Sequence, residues 1–336
     1  MPYTMQNRFK KFSSLYLIKN NYFGSSKMAI KKGMFTKLTH EAQRFIVHFK
    51  LALKLFQKND PLRLAGATAF FANFALPPIL LILIRVFGYF MDRKIFANRI
   101  FDRLSDFFDD SSTTQVKETL SNIRGIDQHW YATLISFVFF LFVGTTLFSV
   151  IKSSMDQIWS IGIKEHSTFF FKLKLRGRAL VVIILAGILL FVGLMTDSIQ
   201  ALIGSYINPS APLFGKIFLT ILNQFLFIAI VTTWFTVLFR FLTNGRPTWR
   251  NAIRGGILTG IFFTLGKFIL RIMLPLSNIG NIYGASGSIV LIMLFVFYSS
   301  FIFYFGACYV KVLSDAHHTP IRPIKGAFNY EIKEVV

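Results

Sequence analysis

Hydrolytic chemistry on a phosphodiester needs a cluster of metal ligands, or a paired general acid and base within reach of one bond. The histidines are His40, His48, His129, His166, His317 and His318, and only the last two are neighbours. No carboxylate pair accompanies them, the single cysteine is Cys308, and no glycine-rich Walker loop is present. The chain therefore reads as a non-enzyme, with no catalytic residue, metal site or cofactor expected. The polar residues that carry information lie inside long apolar runs, where an ionisable group is costly and commonly marks a binding or transport path. They are Asn73, Arg85, Asp197, Asn223, Lys267 and Arg271. Pro77 and Pro78 share a run with the first two, FFANFALPPILLILIRVF, Phe70 to Phe87. Each proline removes a backbone donor, so this pair predicts a break in the helix, with Asn73 and Pro78 beside it. The break either lines a cavity or is a packing kink.

Such residues act only if helices hold them in a bilayer. Of the 336 residues, 54% are hydrophobic, above the roughly 45–50% typical of soluble domains. A spanning helix needs roughly 20 apolar residues, and the segments 62–90, 130–151, 179–204, 213–239, 252–274 and 284–311 qualify. The net charge is +22, but its distribution points to a membrane rather than to nucleic acid. Residues 1–61 hold twelve Lys/Arg against Glu41 and Asp60, and 240–254 holds four arginines and no acid. The connections 205–212 and 275–283 are uncharged, and in 91–129 acids balance bases. By the positive-inside rule both chain ends, the second loop and the fourth loop face the cytoplasm. The fold class expected is all-α: a polytopic membrane protein with six transmembrane helices, N-in/C-in. It adds an amphipathic N-terminal helix and short outer-side helices. The organisation is a basic tail at 1–60, a transmembrane domain at 61–313 with its outer loop at 91–129, and a cytoplasmic tail at 314–336.

At about 1.5 Å per residue, Asn73 lies about 16 Å into the first span and Arg85 about 34 Å. Asp197 lies about 28 Å from Arg178, and Lys267 and Arg271 lie about 24 and 30 Å into the fifth span. Four charges thus gather in the outer half. Ala252, Gly256, Gly260 and Thr264 repeat every four residues, a small-residue stripe for close helix packing that continues into Lys267 and Arg271. One reading is an outward-opening basic pocket of Arg85, Lys267 and Arg271 with Asp197 as counter-ion. The other is long side chains reaching for the interface. Tyr283, with Gly284 and Gly287 beside it, marks the entry to the last helix.

Outside the spans, Phe45, Phe49, Ala52, Leu53 and Phe56 share a helical face opposite Lys50, Lys54 and Lys58. This helix either lies in the interface or packs under the bundle. In 91–129, Phe96, Ile100, Leu104 and Phe107 recur at helical spacing, and Val116, Leu120 and Ile123 suggest a second short helix.

Several stretches resemble a known family. LAGATAFFANFALPPILLIL (Leu64–Leu83), TTLFSVIKSSMDQIWSI (Thr145–Ile161), RPTWRNAIRGGILTGIFFTLGKFIL (Arg246–Leu270) and IYGASGSIVLIMLFVFYSSFIFYFGACYVKVL (Ile282–Leu313) together resemble YihY/BrkB membrane proteins over about 60–313. The last helix departs from that pattern, with Phe where Trp is usual and Cys308 where an acid follows Gly-Ala. The resemblance implies six helices in a bacterial inner membrane. It also brings an old ribonuclease label, which the scattered histidines do not support. The function expected is transport or handling of an anionic, lipid-like envelope component. The alternatives are a scaffold recruiting an envelope partner through 91–129, or a membrane enzyme of unrecognised chemistry. Anionic membrane lipids are the expected partners.

Overall fold

The computed structural model describes residues 43–87, 92–105, 113–114, 116–118, 130–163, 184–185, 187–189, 192–193, 212–276 and 287–331. The chain divides into two units, 1–51 and 52–336. In the first, residues 43–51 are helical, with Phe45, Ile46, Val47 and Leu51 exposed. The second is mostly helical.

In chain order its long elements are α1 (Pro61–Phe87), α2 (Arg93–Ser105), α3 (Trp130–Ile158), α4 (Pro212–Val237), α5 (Trp249–Leu276) and α6 (Gly287–Ala316). Among the described residues three stretches are long and apolar enough to cross a membrane: Thr220–Leu242, Trp249–Leu270 and Ile289–Ala316. α1 and α3 coincide with two further predicted spans. Parts of 184–193 within the remaining span are also helical.

Pro61 opens α1 at the first helical position, where its missing N–H costs nothing. α1 then stays helical through Pro77 and Pro78 to Phe87, so the expected break does not occur. Two donors are lost and the carbonyls of Asn73 and Phe74 lose their helical partners, but neighbouring bonds carry the helix past the gap. Ala65, Ala69, Ala72 and Ala75 are buried along α1. Their small side chains let it lie against both α3 and α6. At its far end Leu80, Leu83, Ile84 and Phe87 form a core with Phe96, Ala97, Ile100, Val116 and Ile292. α2 is thus pinned across α1 by the phenylalanine and isoleucine that its spacing marks out. Asp92 caps it, Oδ1 accepting from the N–H groups of Lys94 (2.8 Å) and Ile95 (3.2 Å).

α5 is glycine-faced on two sides. A Cβ on Gly256 would collide with Thr236 Oγ1 of α4, and one on Gly260 would lie 2.7 Å from Thr232 Oγ1. On the other side Gly255 meets Val310 of α6, while Thr259 fits against Gly306. α4 runs on through a π-helical turn at Leu238–Leu242, whose Phe239 stacks on Phe303 at 5.1 Å between ring centroids.

The ends of α3, α4, α5 and α6 meet in a small platform. The strands β1 (Ile161–Ile163) and β4 (Ala327–Asn329) pair antiparallel, as do β2 (Gly245–Arg246) and β3 (Arg322–Pro323). The all-α expectation holds for the bulk and is corrected here. Residues 321–330, expected as tail, supply a strand to each pair. Trp159, 1% exposed, donates Nε1–H to the Ala307 carbonyl at 2.9 Å. Trp159→Phe is expected to cost about 1–3 kcal/mol through the lost bond and the void left behind, read as a lower denaturation midpoint in mixed micelles.

Candidate functional site

A groove of about 460 Å³ opens between α1 and α3. α1 contributes Arg63, Leu64 and Ala67, and α3 contributes Thr145, Thr146, Ser149, Val150, Ser153, Ser154 and Gln157. Thr145, Ser149, Ser153 and Gln157 stand four apart and make one polar line, about 18 Å long at helical rise. This line belongs to a helix that elsewhere exposes Val138 and Phe142. Exposed apolar side chains of that kind suit lipid, and a hydroxyl line beside them has acceptor sites to offer a polar group.

The hydroxyl protons of Thr145, Thr146 and Ser149 are already committed. Thr145 and Thr146 donate to the Phe142 carbonyl (3.0 and 2.7 Å) and Ser149 donates to that of Thr145 (2.9 Å). A hydroxyl holds one donor and two acceptor sites. The wall therefore offers acceptor oxygens, which suit a ligand carrying hydroxyl or ammonium donors. Behind it, Thr68 and Tyr304 share a 2.6 Å hydroxyl contact, and Ser154 hydrogen-bonds the same tyrosine. This buried knot joins α1, α3 and α6 and fixes the spacing of the groove walls. At the mouth Arg63 reaches Gln157 Oε1 (3.4 Å) and lies 3.7 Å from Asp60. Both members of that ion pair are exposed, so it holds the guanidinium only weakly, and Arg63 stands ready for an anion.

One turn of α3 away, Asp156 is buried. Its carboxylate accepts from Asn244 N (3.0 Å) and Nδ2 (2.6 Å), tying α3 to the loop between α4 and α5. Burial raises its pKa to about 6, against the opposing hydrogen bonds of Asn244 and the charges of Lys152 and Arg246. Asn244 Oδ1 is buried without a hydrogen bond among the described residues. On the same platform Asn251 Nδ2 bonds Ser314 Oγ and Thr319 Oγ1, each at 3.1 Å.

Of the residues expected to form an outer pocket, only Lys267 has its side chain among the described residues, and it does not line this groove. Lys267, half-buried, places Nζ 4.4 Å from the Phe227 ring centroid, a cation–π contact between α5 and α4. Asn73 is half-buried and Asn223 is exposed. Arg85, Pro78 and Arg271 lie on helices, but their side chains are outside the described residues, as are Asp197, Tyr283 and Gly284 altogether. Gly287 begins α6 and is buried. The hydroxyls of the groove escaped the sequence reading, although the signal was present. Thr145, Ser149 and Ser153 repeat at four-residue spacing at the end of an apolar run. Among the described residues no three His, Cys, Asp or Glu side chains gather as metal ligands.

The family model "Virulence factor BrkB" matches residues 52–325. A UPF0761 membrane protein of Mannheimia succiniciproducens is 24% identical over 271 residues, covering 77% of this chain and 87% of that protein. A UPF0761 membrane protein of Glaesserella parasuis is 28% identical over 187 residues, covering 54% of this chain and 62% of that protein. No solved structure matches.

Proposed function

The chain belongs to the virulence factor BrkB family of membrane proteins, and from that premise we propose that it handles an anionic, lipid-like component of the bacterial envelope. It does so as a six-helix, multi-pass protein of the cytoplasmic membrane, with both ends inside. The observation that carries this reading is the groove between α1 and α3. An amphiphile fits it with its tail in the hydrocarbon beside Val138 and Phe142. Its hydroxylated head lies on the Thr145–Ser149–Ser153 line and its anionic group meets Arg63. The chain contains no Walker loop, so movement of the ligand draws on a gradient or a partner.

The test is lipid retention. Ser149→Leu with Ser153→Leu removes two exposed hydroxyls without touching the Tyr304 knot. Two hydrogen bonds at about 0.5–1.5 kcal/mol each imply an affinity loss of roughly 5- to 150-fold, read by mass spectrometry of lipids that co-purify. Arg63→Gln is expected to retain neutral lipid and lose anionic lipid. Unchanged lipid content in both variants would contradict the reading.

A further inference from the structure

Trp249, Ile253, Ile257, Ile261 and Leu265 are all exposed and stand four apart, and Phe268 and Ile272 continue the line. From Trp249 to Leu270 the helix rises about 32 Å, close to the roughly 30 Å of a bilayer's hydrocarbon core. The line is therefore the lipid face of α5, and Trp249 sits at one hydrocarbon boundary, where indole rings concentrate.

Around that tryptophan the chain assembles cations and aromatic rings. The Arg240 Cζ lies 5.3 Å from the Trp249 ring centroid, and Phe241 meets the same ring edge-on at 5.8 Å. Arg246 stacks its Cζ 5.7 Å from Phe241. The π-helical turn at Leu238–Leu242 aims Arg240 back toward the loop, where Nη1 donates to the Pro247 carbonyl. That bond uses one of five guanidinium donors. Arg250 is exposed beside Trp249, and 240–254 contains no acid. The nearby carboxylate, Asp156, is turned inward onto Asn244.

We propose that this corner, Arg240, Trp249 and Arg250, binds the phosphate of an anionic glycerophospholipid from the adjoining leaflet. Its acyl chains lie along Ile253, Ile257 and Ile261. The site is separate from the groove between α1 and α3, and it would fix the depth of α4 and α5 in the membrane.

The experiment uses the full chain in nanodiscs of equal phosphatidylglycerol and phosphatidylcholine, with brominated acyl chains on one lipid at a time. Subtracting the Trp249→Phe variant isolates the fluorescence of Trp249. Phosphatidylglycerol is expected to quench it more than phosphatidylcholine, with local enrichment of about fivefold per arginine. Arg250→Gln, at an exposed position, is expected to reduce the preference, and Arg240→Gln with Arg250→Gln to abolish it while both lipids still quench. Arg63→Gln is expected to leave it unchanged. Equal quenching by the two lipids in the unaltered protein would overturn the proposal. So would a preference that survives both arginine substitutions, or one lost on Arg63→Gln.

Discussion

Gly256→Leu is expected to cost about 3 kcal/mol or more, at the upper end of what overpacking a helix interface does. The reason lies in what surrounds the missing Cβ. Besides Thr236 Oγ1, a Cβ there would lie 2.9 Å from the Thr232 carbonyl oxygen and 3.1 Å from the Thr236 nitrogen. A side chain can rotate away from an intruder, but backbone cannot. α4 and α5 would have to separate, and the Thr232 and Thr236 contacts along the interface would be lost with them. Gly66 supplies the contrast, because nothing lies within 4 Å of a Cβ built there. Gly66→Ala is expected to be neutral or to stabilise by up to about 1 kcal/mol through helix propensity. Equilibrium denaturation in mixed micelles separates the two. A Gly256→Leu protein as stable as the parent would mean that α4 and α5 do not meet on this face.

The second large effect is a pH dependence that belongs to Asp156. Its pKa in the folded state is about 6, raised from 3.8 by burial. The folded protein therefore holds this proton more tightly than the unfolded chain does. The resulting stabilisation is complete below about 3.8 and is lost as pH rises through about 6. A shift of about two units corresponds to about 3 kcal/mol for a group this buried. The protonated acid also has a place for its hydrogen. Turning the Asn244 amide over brings the unpartnered Oδ1 toward the carboxyl as an acceptor. Asp156→Asn, the neutral isostere, is expected to lose this part of the pH dependence. Stability measured from pH 4 to pH 8 should then fall more steeply in the parent than in the variant. Parallel curves would remove Asp156 as the cause.

These two sites show where sequence reasoning reaches. The glycine stripe was legible because small residues four apart on an apolar helix have one common use, the close approach of another helix. Phe96 and Ile100 were legible because a helical period inside a charged loop marks a buried face. The proline pair misled because it reports only the loss of two donors. Whether a helix breaks there depends on what its neighbours supply, and α1 is buttressed by α3 and α6 on its alanine face. The short strands were invisible because two or three residues carry no alternation, and their partners are distant in sequence: Ile161 with Asn329, Gly245 with Pro323. In the sequence Asp156 is simply the one charged residue between Lys152 and Lys164. Its burial depends on Asn244, 88 positions away in sequence. The groove was half legible: its hydroxyl spacing is in the sequence, but only the packing of α1 leaves that line uncovered.

An amphiphile's polar head is expected in the groove between α1 and α3. A density map of the protein in nanodiscs containing anionic lipid tests it most directly. Head-group density is expected between Arg63 and Thr145, contacting Ser149 and Ser153, with tail density emerging beside Val138 and Phe142. A groove filled by a protein segment, or holding only water while lipid density lies elsewhere on the surface, would contradict it.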